Sequence, residues 1–201
     1  MGKGEDTREA ILDQATRLAS QVGLHGLTIG SLATRTRLSK SGLFAHFRSK
    51  ESLQVQVLDH AAALFVDEVV RPALAAPRGE PRVRELFERW LGWCSSGQLP
   101  GGCVFIFATN EFDDEPGPVR DRLVRAQRDW METIATVFRS GITEGQFRHD
   151  ADPDQFANDL YGTILAYHHA RRLLRDPQAE RRARNALDRL LDAARTAPAL
   201  T

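Results

Sequence analysis

Residues 27–53 read LTIGSLATRTRLSKSGLFAHFRSKESL. Three hydroxyl residues in this stretch each stand at the start of a helical pattern: Thr28, Ser39 and Ser49. A side-chain oxygen at such a position can accept a hydrogen bond from a backbone N–H of the first helical turn. The pattern therefore predicts short helices at 28–36 and 39–47, and a longer one that starts near residue 50. A turn of about three residues joins the two short helices, which is the arrangement of a helix-turn-helix.

The sequence on either side of this stretch also has the spacing of helices. Residues 8–22 carry apolar side chains on one helix face, and Gly23 follows where that helix would stop. The helix after residue 50 is expected to end at Pro72 and the stretch Ala76-Pro77-Arg78-Gly79, because proline and glycine break helices. The apolar run 103–108 would also suit a buried strand, but a lone strand has no sheet to join, so a helix is predicted.

These patterns together predict an all-α protein of about nine helices in two domains. Residues 1–50 are expected to form a three-helix domain that contains the helix-turn-helix, and residues 51–201 a C-terminal helical bundle. The longest apolar runs have six residues, far short of the ~20 that span a bilayer, so no membrane partner is expected. Two cysteines do not make a disulfide framework, which favours a cytoplasmic location.

Charge is divided unevenly along a chain whose 27 basic and 27 acidic residues balance overall. The first 50 residues contain eight lysines and arginines against four carboxylates, so the remainder of the chain is net acidic. Between residues 25 and 50 there are five basic side chains and no carboxylate. A cationic lobe on an acidic body predicts that this end of the protein meets a polyanion, with a merely solvated basic face as the alternative.

The helix at 39–47 is the one expected to contact double-stranded DNA. Its first residues are small or cationic, which lets the helix end approach phosphates and base edges in the major groove. These residues are Ser39, Lys40, Ser41 and Gly42. Thr28 and Lys50 begin the flanking helices, where each can contact a phosphate, and Lys40 can reach guanine edges. The helix has no Arg, Asn or Gln for bidentate reading, so much of the specificity is expected from backbone contacts and DNA shape.

The stretch from Thr28 to Leu53 resembles the signature of TetR/AcrR-family transcriptional regulators, and the resemblance is dense over about residues 7–58. It implies a homodimer with an N-terminal DNA-binding domain and a C-terminal domain that binds a small effector. Most members of that family are repressors that the effector releases. The resemblance also implies that His46 contacts a backbone phosphate, with an exposed histidine of no assigned role as the alternative.

Two positions depart from that signature. The turn commonly has Ala-Gly-Val, where this chain has Thr36-Arg37-Leu38. Without the glycine a left-handed backbone is less favourable there, but Arg37 gains a possible phosphate contact. The usual tyrosine-rich step of the DNA-contacting helix is Phe44-Ala45. Phe44 has no hydroxyl to donate to a phosphate, so packing is an alternative to its DNA contact.

The rest of the chain offers candidates for the two roles that the resemblance assigns to it. Six aromatic residues could line a cavity for a small apolar or amphipathic effector, although aromatics at helical spacing usually belong to the core: Trp90, Trp93, Phe105, Phe107, Trp130 and Tyr161. The resemblance places the dimer interface on the last two helices, with these candidate contacts: Tyr161, Ile164, Leu165 and Leu190. A dimer is needed physically, because one short helix reads too few base pairs of a palindromic operator for tight binding.

The remaining titratable residues show no pattern of a catalytic or metal site. Cys94 and Cys103 have no neighbouring cation in sequence that would lower a thiol pKa, which favours buried packing over a redox role. His168 and His169 are adjacent, so their side chains diverge by about 100° on a helix and cannot bind one metal ion together. Neither a metal nor another cofactor is expected. Residues 111–115 include four carboxylates, but these do not have the spacing of a calcium-binding loop. The segment is predicted to form a solvated acidic turn.

The sequence therefore predicts a DNA-binding transcriptional regulator and not an enzyme. Its most specific form is a dimeric repressor that leaves a palindromic operator when an effector binds the C-terminal domain. One alternative is a DNA-binding helical protein without an effector. The other is a helical-bundle enzyme that uses Cys94 or a histidine, for which no nucleophile–base spacing or phosphate-binding loop is present.

Overall fold

The computed structural model describes residues 3–196, with side chains from residue 7 onward. Ten α-helices make up most of this range: α1 (Lys3–Gly26), α2 (Ile29–Thr36), α3 (Lys40–Phe47), α4 (Lys50–Phe65), α5 (Arg71–Ala75), α6 (Glu80–Ser95), α7 (Val104–Phe112), α8 (Pro118–Thr143), α9 (Pro153–Arg172) and α10 (Ala179–Ala194). Residues 3–196 contain no strand, and the β-bridge between Phe147 and Arg195 is isolated. The prediction of an all-α fold is confirmed, including the helix at 103–108.

α4 and α5 form one continuous helix, because a single π-helical turn, Val66–Val70, joins them. Counted in this way, the described range holds nine separate helices, in agreement with the prediction. The predicted helix end is confirmed at the stretch Ala76-Pro77-Arg78-Gly79 and is wrong at Pro72. Pro72 lies in the first turn of α5, after the π turn has shifted the hydrogen-bonding frame, and the chain stays helical to Ala75.

The predicted starts of the N-terminal helices are confirmed. Thr28, Ser39 and Ser49 each accept a hydrogen bond from the backbone N–H three residues on, at 3.0, 3.1 and 3.0 Å respectively. α1 breaks at Gly23, whose φ of 76° and ψ of 173° are not helical, and resumes briefly as far as Gly26. The helix stop predicted at Gly23 is therefore a kink.

The chain divides into two compact units. The first comprises the chain up to Val66 together with Trp93–Gln127, and the second comprises Asp67–Gly92 together with the chain from Arg128 onward. In the first unit α1 packs against α2, α4 and α7, and α2 packs against α3. The helix-turn-helix lies in this first unit, whereas the domain boundary placed at residue 50 stays a prediction.

In the second unit α9 packs against α10, and a stack of three phenylalanine rings fills the core. Phe138 lies 4.6 Å from Phe147 and 4.1 Å from Phe156, measured between ring centroids. Gly141 is required beside this stack, because a Cβ there would lie 2.3 Å from the Phe147 ring. Three ion pairs, spaced one turn apart on α6, connect α6 to α10 or to the residue that follows it: Glu80–Arg195, Arg84–Asp188 and Glu88–Arg184.

Candidate nucleic-acid interface

α3 presents its N-terminal end and its outer face to solvent. Leu43 and Phe47 are both 0% exposed and hold the helix against the core of the first unit. The four residues at the N-terminal end are all exposed: Ser39, Lys40, Ser41 and Gly42. The Ser39 hydroxyl caps the backbone N–H of Gly42. This helix end is therefore open to an anion and carries no bulky side chain that would keep one away.

The turn between α2 and α3 keeps a left-handed residue although it has no glycine. Arg37 has φ 58° and ψ 24°, a conformation in which the Cβ of an L-residue meets the following carbonyl. That contact costs about 1–2 kcal/mol. The exposed Arg37 side chain follows α2 and lies three residues before α3, where a guanidinium can reach a DNA phosphate.

The cations around α3 have no carboxylate to neutralise them. Four are exposed and, within the described residues, take part in no ion pair: Arg35, Arg37, Lys40 and Arg48. Arg48 directly follows α3 with φ 63°, so two strained arginines flank the helix. Sequence reasoning did not single out Arg48, because its only signal was membership of the basic stretch. An unneutralised cluster of this kind attracts the phosphate backbone of a nucleic acid.

Thr28 and Lys50 already make hydrogen bonds within the protein. The Thr28 hydroxyl accepts from the backbone N–H of Ser31 and donates to its hydroxyl at 3.1 Å. Lys50 Nζ donates to the carbonyl of His25 at 2.8 Å and so ties the start of α4 to the end of α1. An ammonium group has three N–H donors, of which two remain for a phosphate. Phosphate contacts at Thr28 and Lys50 stay predictions.

Phe44 and His46 lie on the exposed side of α3. Phe44 is 57% exposed, so the alternative that it packs into the protein is wrong. Leu38, just before the helix, is also 40% exposed. Apolar side chains at a DNA-facing position can contact the methyl group of thymine, which offers Phe44 a contact that needs no hydroxyl. The exposed ring of His46 lies near that of Phe47, at 6.1 Å between centroids.

Three of the six aromatic candidates for an effector pocket cluster in the second unit. Trp90 meets Trp130 edge-on, with ring centroids 4.8 Å apart, and stacks on Tyr161 at 5.9 Å. Trp90 and Trp130 are 2% and 9% exposed, whereas Tyr161 is half-buried. The cluster joins α6, α8 and α9 of this unit. Its role in effector binding stays a prediction.

The other three aromatic candidates lie in the first unit. Trp93 and Phe105 both contact Phe65, at 5.3 and 6.5 Å between ring centroids. Trp93 is 2% exposed and is therefore buried within this unit. Phe107 is 39% exposed and lies against the kink of α1 at Gly23. The six side chains therefore divide equally between the two units.

The four candidate dimer contacts differ in how much surface they offer. Ile164 is 0% exposed and belongs to the core of its own unit. The prediction that Ile164 contacts a second copy is therefore wrong. Leu165 is 38% exposed, and Tyr161 and Leu190 are half-buried. Small side chains of α9 and α10 line a groove of about 570 Å³: Gly162, Ala166, Ala170, Ala179, Ala183 and Ala186.

Glu111 has a structural role that the sequence analysis missed. The solvated acidic turn predicted at 111–115 is wrong at its start, because Glu111 and Phe112 form the end of α7. The Glu111 carboxylate accepts the backbone N–H groups of Leu24 at 2.7 Å and His25 at 3.0 Å, just after the kink of α1. Its partners are backbone groups 87 and 86 positions away, so no sequence signal could have identified them.

The described part of the chain holds neither a cluster of metal-ligating side chains nor a helix that could span a membrane. No three side chains of His, Cys, Asp or Glu come together there as a possible metal site. Each described helix is too short or too polar to cross a lipid bilayer.

Comparison with known proteins gives two family matches. Residues 11–57 match the family described as bacterial regulatory proteins, tetR family, and residues 79–187 match the tetracyclin repressor-like C-terminal domain. The curated repressor NemR of Escherichia coli (strain K12) is 24% identical over 163 residues, which cover 80% of this chain and 81% of NemR.

Two solved structures share the fold over nearly the whole chain. A TetR transcriptional regulator from Chloroflexus aurantiacus J-10-FL has 29% identity and a TM-score of 0.85, covering 98% of this chain and 100% of that one. A regulator from Saccharomonospora viridis in complex with choline has 24% identity and a TM-score of 0.81, covering 96% and 100%. Since both family domains match and together cover most of the chain, the chain belongs to the TetR family of DNA-binding transcriptional regulators.

Proposed function

We propose that the protein is a cytoplasmic, dimeric repressor that binds a palindromic operator and leaves it when a small effector binds the C-terminal domain. The N-terminal end of α3 carries this proposal. It is exposed, it is built of small residues, and the four cations around it lack carboxylate partners within the described residues. Members of this family are generally transcription factors without enzymatic activity, so a catalytic role is not proposed.

The chemistry of α3 suggests how it binds a duplex. Its backbone N–H groups and the side chains of Lys40, Arg37 and Arg48 supply phosphate contacts, which set affinity and its salt dependence. Lys40 and the hydroxyl of Ser41 reach base edges in the major groove. Phe44 adds an apolar contact to thymine methyl groups. DNA shape supplies the rest of the specificity, because the helix has no Arg, Asn or Gln.

A second copy of the chain supplies the second reading helix. Exposed apolar side chains lie at the outer surface and C-terminal end of α9, with Leu165, Leu173 and Leu174 at 38%, 70% and 62% exposure. Burying such a surface against a partner is favourable, and the groove between α9 and α10 gives it a shape to fit. Two reading helices about 34–36 Å apart would then enter successive major grooves.

The aromatic residues support an apolar or amphipathic effector. Trp90, Trp130 and Tyr161 lie together, and aromatic ring faces are a chemistry that suits an apolar group or an organic cation. A regulator of similar fold binds choline. The dimer is expected to have two states, one in which the separation of its two α3 helices fits DNA and one in which it does not. An effector that binds the second state more tightly lowers the DNA affinity, by a factor set by the ratio of its affinities for the two states.

Fluorescence anisotropy with the palindromic sequence near the protein's own coding region tests the proposal. We expect binding that weakens steeply with salt, since each phosphate contact adds about 0.9 to the slope of log K against log salt. Arg37→Ala and Lys40→Ala should weaken binding, and Arg189→Ala, an exposed cation of α10, serves as the matched control. Equal, salt-insensitive binding by all of these proteins would contradict the proposal.

A DNA-binding protein without an effector is the second candidate. The close packing of Trp90 against Trp130 favours it, because a filled aromatic core leaves less room for a ligand. A panel of small amphipathic probes, choline among them, distinguishes the two functions by thermal shift. A ligand that binds only the native state must raise the melting temperature, so no shift with any probe favours the second candidate.

A further inference from the structure

A cleft of about 220 Å³ lies in the first unit, where the first turns of α4 and α8 come close to the end of α1. Lys50, Glu51 and Gln54 of α4 line it together with Arg120 of α8, and we call it the α4–α8 cleft. Sites for drug-sized ligands measure about 300–1,000 Å³, so an occupant of this cleft must be smaller than such ligands. Among the described residues, its lining includes none of the six aromatic candidates for the effector pocket.

Two cations line the α4–α8 cleft and take part in no ion pair within residues 7–196: Lys50 and Arg120. Lys50 Nζ donates to the carbonyl of His25 at 2.8 Å, and Arg120 Nε donates to the carbonyl of Asp113 at 3.0 Å. These bonds orient both side chains but leave two N–H donors on the ammonium group and four on the guanidinium. The first turn of a helix also has N–H groups without intrahelical partners, and the helix dipole favours negative charge there. This part of the lining therefore suits a carboxylate.

The same cleft also offers hydrogen-bond acceptors. Gln54 is only 5% exposed, and its Nε2 donates to the carbonyl of Leu24 at 2.7 Å. No donor among the described residues reaches its Oε1, so this oxygen is left for a molecule in the cleft. The Glu51 carboxylate takes part in no ion pair of the described residues and lies near Gly117, where a Cβ would be 3.7 Å from Glu51 Oε1. Both acceptors suit an ammonium group that carries N–H donors.

The formal charges around the cleft balance, and part of its wall is apolar. Glu115 also lines it and lies 2.9 Å from the His25 ring, so two carboxylates stand against the two cations. A ligand with a carboxylate and an ammonium group matches such a lining better than a ligand with one charge, which would leave the opposite groups unpaired. Phe112 and Val119, 3% and 4% exposed, complete the wall and suit a short hydrocarbon chain.

We propose that the α4–α8 cleft binds a small aliphatic amino acid in its zwitterionic form. The carboxylate of the amino acid binds the two unpaired cations, its ammonium group donates to Gln54 Oε1 and to Glu51, and its side chain lies against Phe112 and Val119. This site lies in the first unit and differs from the aromatic cluster of the second unit, for which an effector is proposed above. It therefore gives the protein a second ligand site.

Isothermal titration calorimetry of the full chain tests the proposal with glycine, alanine, valine and leucine. We expect saturable binding of one molecule per chain, with an affinity that rises from glycine to leucine because more apolar surface is buried. Two analogues of leucine serve as matched ligands. Isocaproate lacks the ammonium group and isoamylamine lacks the carboxylate. Each should bind at least about ten-fold more weakly than leucine, since charged groups of the cleft then stay unpaired.

Variants assign the binding to the cleft. Arg120→Ala removes a partner of the carboxylate and Glu51→Gln a partner of the ammonium group, so each should weaken leucine binding at least about ten-fold. Arg125→Ala and Glu9→Gln change exposed residues outside the lining and should keep the wild-type affinity. Circular dichroism checks the fold of each variant, and the comparison of leucine with its analogues needs no variant.

Absence of binding by all four amino acids would overturn the proposal, as would an isocaproate affinity equal to that of leucine. Equal leucine affinity in wild type, Arg120→Ala and Glu51→Gln would place the amino acid at another site and refute the assignment to the cleft. None of these measurements involves DNA, so their outcome is independent of the proposed function.

Discussion

Removing the Glu111 carboxylate should loosen the end of α1 that leads into the helix-turn-helix. Glu111 is only 14% exposed and accepts two backbone N–H groups, those of Leu24 and His25. Leu24 is 0% exposed, so its amide would lack an acceptor in Glu111→Ala, at a cost of about 1–3 kcal/mol. Water can replace the acceptor at the exposed His25 amide, which adds a few tenths of a kcal/mol.

The expected loss for Glu111→Ala is therefore about 2 kcal/mol, or roughly 4–8 °C in melting temperature for a chain of this size. Glu111→Gln keeps one acceptor oxygen but turns an amide NH₂ toward the other N–H, so about half of the loss should remain. Glu115→Gln is the matched control. Within the described residues, the ion pair of Glu115 is with the exposed His25 ring at 2.9 Å, and Glu115 is itself 59% exposed, so its loss should stay below about 0.5 kcal/mol.

Urea unfolding gives these free energies, and hydrogen exchange gives a local measurement. The Leu24 amide should exchange slowly in wild type and in Glu115→Gln, and much faster in Glu111→Ala. A DNA anisotropy measurement on the same variants then reports whether the loosened segment weakens binding. If Glu111→Ala and Glu115→Gln were equally stable, with Leu24 protected in both, the carboxylate would not hold α1 and the reasoning would be refuted.

Three other predictions use the same measurements. Arg37→Gly should relieve about 1–2 kcal/mol of strain in the left-handed backbone, while the greater freedom of glycine in the unfolded chain costs about 0.5–1 kcal/mol. Urea unfolding should therefore show a free energy of unfolding about 0.5–1 kcal/mol higher than in wild type. Arg37→Ala keeps the strain and should show no increase. In DNA anisotropy, Lys40→Ala should change the sequence preference, whereas Lys50→Ala should weaken all sequences alike and flatten the salt slope by about one unit; an unchanged slope would mean that Lys50 touches no phosphate. The hydrogen bond from Arg195 is the main cause that lowers the pKa of Glu80 from 4.5 to about 2, so the folded protein keeps this carboxylate ionised after the unfolded chain has protonated it. Stability present above pH 4.5 should fall as the pH drops to 2 in wild type, with a smaller fall in Glu80→Gln; identical pH profiles in urea would contradict this role.

Local chemistry made most of the helix-turn-helix predictable from the amino-acid order. Thr28, Ser39 and Ser49 cap helices through bonds to residues three positions away, and the i, i+4 pair Leu43 and Phe47 marks the buried face of α3. Such interactions span one helical turn, so they are visible in a short stretch of sequence. The family resemblance needed only that same stretch.

Contacts between distant segments decided the features that the sequence could not reveal. Ile164 and Phe44 are both apolar, so residue type alone does not separate them. Ile164 is buried in the core, whereas the Phe44 side chain is exposed to solvent. The hydrogen bond from the Cys94 thiol, nine positions earlier, is the main cause that lowers the pKa of Cys103. Glu111 accepts hydrogen bonds from backbone amides 87 and 86 positions away, and almost every residue type has such an amide. Tertiary packing brings these groups together. Because backbone amides are the same at nearly every position, the sequence does not show which of them a distant side chain will contact.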